Sequence, residues 1–306
     1  MVILESNKNK QKLIFLMGQG LVGSAIVKEL EQLTFNKKNE STSNWQDLDE
    51  LLLQVSSLLE TFHLKGIKKM EVVWSAGKAG FQSSEEETNY EYKIFKALMD
   101  YIINLLTVQY DVTLEIHLIS SAGGLFEGMR DVGLESVPNP RRPYGMLKLK
   151  QEHYLSEKEE AFSFLIYRPT SLYDFIEKGK RFGLISTLIF NLINHKTSFI
   201  YGSYSTLRDY LWAGDLGRFI AEKILADTLD TPNIYFLAST QPATIFEIQK
   251  RIEKISKKRC FISFIEKSNE EHITFSQSCV PENFRTHALP YMIQRIYRAT
   301  INNGNI

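Results

Sequence analysis

The sequence predicts an α/β fold, a doubly wound and mainly parallel sheet joined to a smaller C-terminal α/β lobe. Three observations predict it. Short apolar runs rich in β-branched or aromatic residues recur at Lys12–Met17, Lys69–Trp74, Val112–Ile119 and Phe162–Tyr167. Longer stretches with apolar residues at helical spacing separate them, as crossovers between parallel strands require. Three of the runs end in small residues: Gly18-Gln19-Gly20, Ser75-Ala76-Gly77 and Ser120-Ser121-Ala122-Gly123-Gly124. Open α/β sheets bind their ligands at the carboxyl ends of the strands.

Composition sets the outer limits. The 306 residues suffice for one large domain or a domain with a lobe, and Lys+Arg and Asp+Glu balance at 36 each. With charge balanced, a nucleic-acid partner is not expected. Cys260 and Cys279 are too few for a disulfide framework and are expected as buried thiols. The first ten residues are read as a polar lead-in, and the apolar run Leu13–Met17 is too short for a signal-peptide core or a membrane span. No membrane partner and a cytoplasmic location are therefore expected.

In chain order, Lys12–Met17 leads into Gly18-Gln19-Gly20-Leu21-Val22-Gly23 and then the helical Ser24–Leu30. Strand, glycine turn and helix together are Rossmann-like. Gly18 and Gly20 permit a tight turn and close backbone approach, Gly23 lets helix and strand pack, and the helix N-terminus faces a pyrophosphate. The implied cofactor is NAD or NADP. The next segment, Leu33–Asn44, is read with at most a short strand and no acid at its end to hold the adenine ribose. Lys37 and Lys38 could meet a 2′-phosphate or lie in a solvated loop. Asp47–His63 and Glu85–Val108 are predicted helices, the first carrying core leucines and the second an acidic start suited to the helix dipole. Small residues at Ser75-Ala76-Gly77 would let the cofactor cross the strand end, whereas His117, inside a strand, is read as structural.

Tyr144 and Lys148 stand four apart, after Pro140 and Pro143 and at the head of a helical run read as Leu147–Glu160. That spacing places phenol and ammonium on one helix face. A cation beside a phenol favours its ionised form, which suits proton removal from an alcohol while hydride leaves the same carbon. Further on, Phe182–Asn194, Asp215–Leu225 and Thr244–Lys254 read as helices, with strands at Asn233–Leu237 and Cys260–Ile265. The domain plan is 1–175 as the NAD(P)-binding domain, rejoined by 205–238, with 176–204 and 239–306 as the substrate lobe.

Taken in order, these motifs resemble the extended short-chain dehydrogenase/reductase family, in its NAD-dependent nucleotide-sugar epimerase/dehydratase branch. The carriers are the glycine turn, Ser75-Ala76-Gly77, Ser120–Gly124, Tyr144-x-x-x-Lys148, Arg168-Pro169-Thr170-Ser171-Leu172-Tyr173 and Arg208-Asp209-Tyr210-Leu211-Trp212. The resemblance implies Tyr144 as acid/base and Lys148 as its partner and ribose ligand. It implies a substrate hydroxyl contact from Ser120 or Ser121, and Arg168-Pro169 beside the cofactor. It also implies Arg208 on the diphosphate of a nucleotide-sugar substrate, and a homodimer through the two long helices. No metal is implied. The chain departs from the family pattern at Met17, where the first glycine is usual, at Ala122, where the catalytic hydroxyl is expected, and at Asp174.

The dehydratase members carry an acid pair after the active-site hydroxyl, and Ala122-Gly123-Gly124 has none, so 4,6-dehydration is disfavoured. An NAD(P)-dependent epimerase or reductase of a nucleotide-activated sugar is expected. A non-catalytic NAD(P)-binding sensor or scaffold on the same fold is the alternative.

Overall fold

The computed structural model describes residues 1–33, 35–61, 66–177, 179–226, 233–265 and 272–302. Its centre is a seven-stranded sheet of order β3-β1-β2-β4-β5-β6-β11. The strands are β1 (Val2–Ser6), β2 (Lys12–Met17), β3 (Phe35–Glu40), β4 (Lys69–Trp74), β5 (Thr113–Ile119), β6 (Ser163–Pro169) and β11 (Ile234–Leu237). From β2 to β11 all neighbours run parallel, and β1 alone is antiparallel to both its neighbours.

Two expectations are corrected at the β3 edge. Residues 2–6 are not a polar lead-in; Val2, Ile3 and Leu4 are buried and form a strand between β2 and β3. The segment after helix α1 (Leu21–Leu33) forms a six-residue strand that does end in an acid, Glu40.

One face of the sheet is covered by α2 (Leu48–Thr61), α3 (Glu85–Ile103) and α5 (Pro143–Ser156), with Trp74, Phe95, Leu98 and Tyr154 in the shared core. His63, the expected end of α2, lies outside the described residues. The α3 helix starts on a capping box of Ser84 and Glu87 and passes into a π-helical turn, Asn104–Gln109. The α5 helix begins four residues before its expected start and ends at Ser156. Pro143 fits its N1 position, where no backbone N–H is needed. The other face is covered by α1 and α7 (Ala213–Ala226), around Ile14, Leu16, Val73 and Phe219.

Under that second face lies a charged network. Glu71 and His117 are fully buried, and Glu115 and Lys12 nearly so. Lys12 Nζ stands 2.6 Å from Glu71 Oε1, Lys69 Nζ stands 3.1 Å from both carboxylates, and His117 bridges Glu71 and the Tyr167 hydroxyl. Glu71, Glu115 and His117 are close enough together to suggest a metal. The two ammonium groups already neutralise those carboxylates, so the cluster is a buried ion network, and His117 is structural.

A second core gathers Tyr173 of β7 (Ser171–Tyr173) with α6 (Gly183–Ile193), β8 (Ser198–Ile200), β10 (Tyr210–Trp212), α8 (Ile245–Ser256) and α9 (Leu289–Asn302). Short pairings join β7 to β10, β9 (Leu207–Arg208) to β12 (Ala243–Thr244), and β8 to β13 (Ile262–Phe264). The one-turn helix α4 (Ala122–Leu125) sits between β5 and α5. Both cysteines are buried free thiols.

Candidate active site

Strand β2 ends at Met17, and Gly18 turns the chain with φ +95°, a conformation that favours glycine. A Cβ on Gly18 would lie 2.4 Å from Ala76 N, and one on Gly23 would lie 1.9 Å from Gly18 O. Ser75 Oγ donates to Gly18 O at 2.6 Å, clasping the end of β4 onto the turn. At Gly20 a Cβ would meet nothing within 4 Å, so the turn is closed toward the protein and open in front of α1. This is the shape a diphosphate needs at a helix N-terminus, and the residues present fit a dinucleotide. Met17, in the place of the usual first glycine, is buried in β2 and does not obstruct the turn.

A cavity of about 390 Å³ opens there, lined by Gly18, Gln19 and Gly20 from one segment and Ser75, Ala76 and Gly77 from the other. Trp45 and Glu91 complete two of its walls. Glu91 accepts from the backbone N–H groups of Lys78 and Ala79, both at 2.9 Å, and so holds the loop after β4. Leu21, Val22 and Gly23 stand behind the turn in α1 and do not line the cavity. Gly23→Ala is expected to cost about 1–3 kcal/mol, since backbone must move to admit the methyl group. The denaturant midpoint measures this.

The sequence reading missed Glu40. Its carboxylate accepts from Gln19 Nε2 at 2.8 Å, which brings an acid to the edge of the glycine turn. Lys37 and Gln19 together hold that carboxyl below its ordinary range. Lys37 pairs with Glu40 and Glu31, and Lys38 with Glu5. The two lysines considered for a 2′-phosphate are thus engaged with carboxylates.

Tyr144 and Lys148 share one face of α5. The helix can approach because residue 145 is glycine: a Cβ there would lie 2.2 Å from Gly124 O. The Tyr144 ring rests on Gly124 and against Phe81, with ring centroids 5.6 Å apart. Lys148 Nζ lies 5.9 Å from the Tyr144 ring centroid and donates to Ile119 O and Gln151 Oε1, each at 3.2 Å. An ammonium has three donors, so one remains for a ligand.

The other predicted residues divide. Ser121 is half-buried at the N-cap of α4, beside the Tyr144 contact, and accepts from Gly124 N at 3.1 Å. Ser120 is buried and donates to Glu152 instead. Arg168 is also buried and grips Glu152 through two bonds, of 3.0 and 2.6 Å, while its guanidinium stacks over Phe126 and Phe236. Ser120, Glu152 and Arg168 thus tie α5 to the ends of β5 and β6, and Pro169 is buried at the end of β6 and is not among the residues lining the cavity. Arg208 is half-buried on β9, paired through its backbone with Ala243. Arg142 binds Glu127 at 2.7 Å and lies over Phe81.

Known proteins share this fold, and one family shares its sequence pattern. The model of the NAD dependent epimerase/dehydratase family matches residues 14–238. Among solved structures, MoeE5 in complex with UDP-glucuronic acid and NAD is 18% identical, with a TM-score of 0.74, 95% of this chain and 99% of that one covered. UDP-glucuronic acid 4-epimerase from Bacillus cereus, in complex with UDP-glucuronic acid and NAD, is 18% identical with a TM-score of 0.71 and the same coverage. RMD from Pseudomonas aeruginosa, complexed with NADPH, is 15% identical with a TM-score of 0.72, over 96% of this chain and 99% of that one. At these identities the likeness speaks for the fold. No curated protein sequence matches the chain. With the family pattern spanning the glycine turn, the strand ends and the Tyr144–Lys148 helix, the chain belongs to the NAD dependent epimerase/dehydratase family.

Proposed function

We propose that this enzyme is an NAD(P)-dependent epimerase or reductase of a nucleotide-activated sugar, with Tyr144 as its acid/base. The observation that carries the reading is Tyr144 and Lys148 together on the first turns of α5, against Gly124 of α4, the helix that Ser121 caps. The bound nicotinamide supplies the hydride acceptor and donor. Tyr144 Oη takes the proton from a ring hydroxyl as the carbon is oxidised and returns it on reduction. Lys148, fixed by Ile119 O and Gln151, keeps a positive charge near the phenol and offers its third donor to the ribose. Ser121 offers its hydroxyl to the substrate oxygen, and Arg208 its forked donors to the diphosphate. Ser120 and Arg168 enter this reading as the support beneath the loop and helix. Activity is tested by following oxidation or 4-epimerisation of UDP-glucose and UDP-glucuronic acid, substrates suggested by the structural relatives.

The reading extends to a cytoplasmic homodimer in sugar-nucleotide and polysaccharide metabolism. Exposed Met146 on α5 supports a partner on that helix. Sedimentation velocity tests the dimer.

Glu40 favours NAD over NADP in this reading. A carboxylate at the turn accepts from ribose hydroxyls and repels a 2′-phosphate. Glu40→Ala is expected to raise the Kd for NAD by about tenfold and to narrow the gap to NADP. Calorimetric titration of both nucleotides checks this; an unchanged NAD affinity would remove Glu40 from the site.

A further inference from the structure

The C-terminal lobe presents an apolar sheet face that the reaction does not use. Strands β8 and β13 pair in parallel, Ser198 with Ile262 and Ile200 with Phe264, and the pairing continues through Ser198 N to Phe261 O and Ile265 N to Ile200 O. Side chains alternate across a strand, so Ser198, Ile200, Ile262 and Phe264 turn toward the lobe core. Phe199, Tyr201, Phe261 and Ile265 turn outward, 68%, 48%, 55% and 50% exposed. Four large apolar side chains on one small face form a patch of the kind that marks an interaction site.

Charge identifies the kind of partner. His195-Lys196 precedes β8 and Lys257-Lys258-Arg259 precedes β13. The strands are parallel, so these five exposed residues gather at one end of the face. The Arg259 guanidinium lies 5.8 Å from the Phe261 ring centroid. Neither 195–201 nor 257–265 contains an Asp or Glu. Lys257 also lines a groove of about 500 Å³ between α8 and α9 with Arg251, Lys254 and Arg298, and no carboxylate lines it. Among the described residues, Lys254, Lys257 and Arg298 form no ion pair. In a chain of zero net charge, this is a marked local excess of positive charge.

We propose that this face docks the enzyme reversibly on a membrane surface rich in anionic lipid. Phe and Tyr rings would sit at headgroup level, Ile265 would reach the acyl boundary, and the basic rim would meet lipid phosphates. A second copy of the chain is a poor occupant, because a two-fold contact brings together two copies of a face whose segments contain no Asp or Glu to meet the basic rim. Single-stranded nucleic acid is a poorer match, since Ile265 offers no stacking surface. No helix among the described residues is long and apolar enough to cross a membrane, and peripheral binding needs none. The expectation of no membrane partner considered spans alone.

The test is co-sedimentation of the full chain with vesicles of phosphatidylcholine alone or mixed equally with phosphatidylglycerol. Binding is expected to the mixed vesicles only, and to weaken as salt rises. The double variants F199S/F261S and K258E/R259E are each expected to reduce partitioning about tenfold or more, with melting temperature and dinucleotide binding unchanged. Absence of sedimentation with the mixed vesicles would overturn the proposal. So would binding that both variants leave intact, or equal affinity for a single-stranded oligonucleotide or for poly-glutamate, which would mark a general polyanion site.

Discussion

Tyr144→Phe is expected to lower turnover by about 10²–10⁴-fold while leaving NAD affinity unchanged. The substitution removes one oxygen. The phenyl ring keeps its seat on Gly124 and against Phe81, and Lys148 keeps its bonds to Ile119 O and Gln151. Among the described residues neither the glycine turn nor the loop after β4 hydrogen-bonds that oxygen, and the turn and loop keep their own bonds. Steady-state rates paired with calorimetric titration separate the two effects. A rate equal to wild type would refute the acid/base role, and a matching loss of NAD affinity would make Tyr144 a binding residue instead.

Glu71→Ala is expected to destabilise the fold by about 3–5 kcal/mol, because it strips the buried Lys12 of its carboxylate partner and weakens the hold on Lys69 and His117. The same network predicts an acid limit. Burial alone would raise the Glu71 carboxyl, but the His117 hydrogen bond and the charges of His117, Lys12 and Lys69 outweigh it and hold the group below its ordinary 4.5. A depressed carboxyl contributes stability above its unfolded value and loses it as pH falls through the folded one. Unfolding free energy should therefore decline as pH drops below about 4.5, and Glu71→Gln should flatten that limb. Urea titrations across the acid range measure both. Equal slopes for wild type and Glu71→Gln would place the acid sensitivity elsewhere.

The legible parts of the fold were those with local causes. The glycine turn, the small residues ending β4 and β5, and the Tyr144–Lys148 spacing are constraints that a few neighbouring residues impose on themselves. The β1 strand was missed because five residues, three of them buried apolar ones, followed by a polar turn resemble a lead-in; only pairing with Glu40 and Leu16 makes Val2 a sheet residue. The β3 strand was read as short at most and without its terminal acid for a related reason. It is an edge strand in which Phe35 alone is buried, so Asn36 to Glu40 show no apolar alternation. Without the strand, Glu40 could not be read as its terminal acid. The division between Ser120 and Ser121 depended on Glu152, 32 residues away, which binds the first and leaves the second at the helix cap. Arg168 binds that same carboxylate, 16 residues away in the chain. Such assignments rest on contacts distant in the chain, which periodicity does not encode.

The proposed chemistry depends on a nicotinamide dinucleotide held in the cavity between the glycine turn and the Ser75-Ala76-Gly77 strand end. The most direct measurement is to purify the protein, denature it and identify any released nucleotide by mass. NAD is expected, retained in near-equimolar amount by an epimerase whose redox cycle is internal, or an empty protein whose melting temperature rises on adding NAD or NADPH if it is a reductase. A protein that releases no nicotinamide nucleotide and is stabilised by none would contradict it.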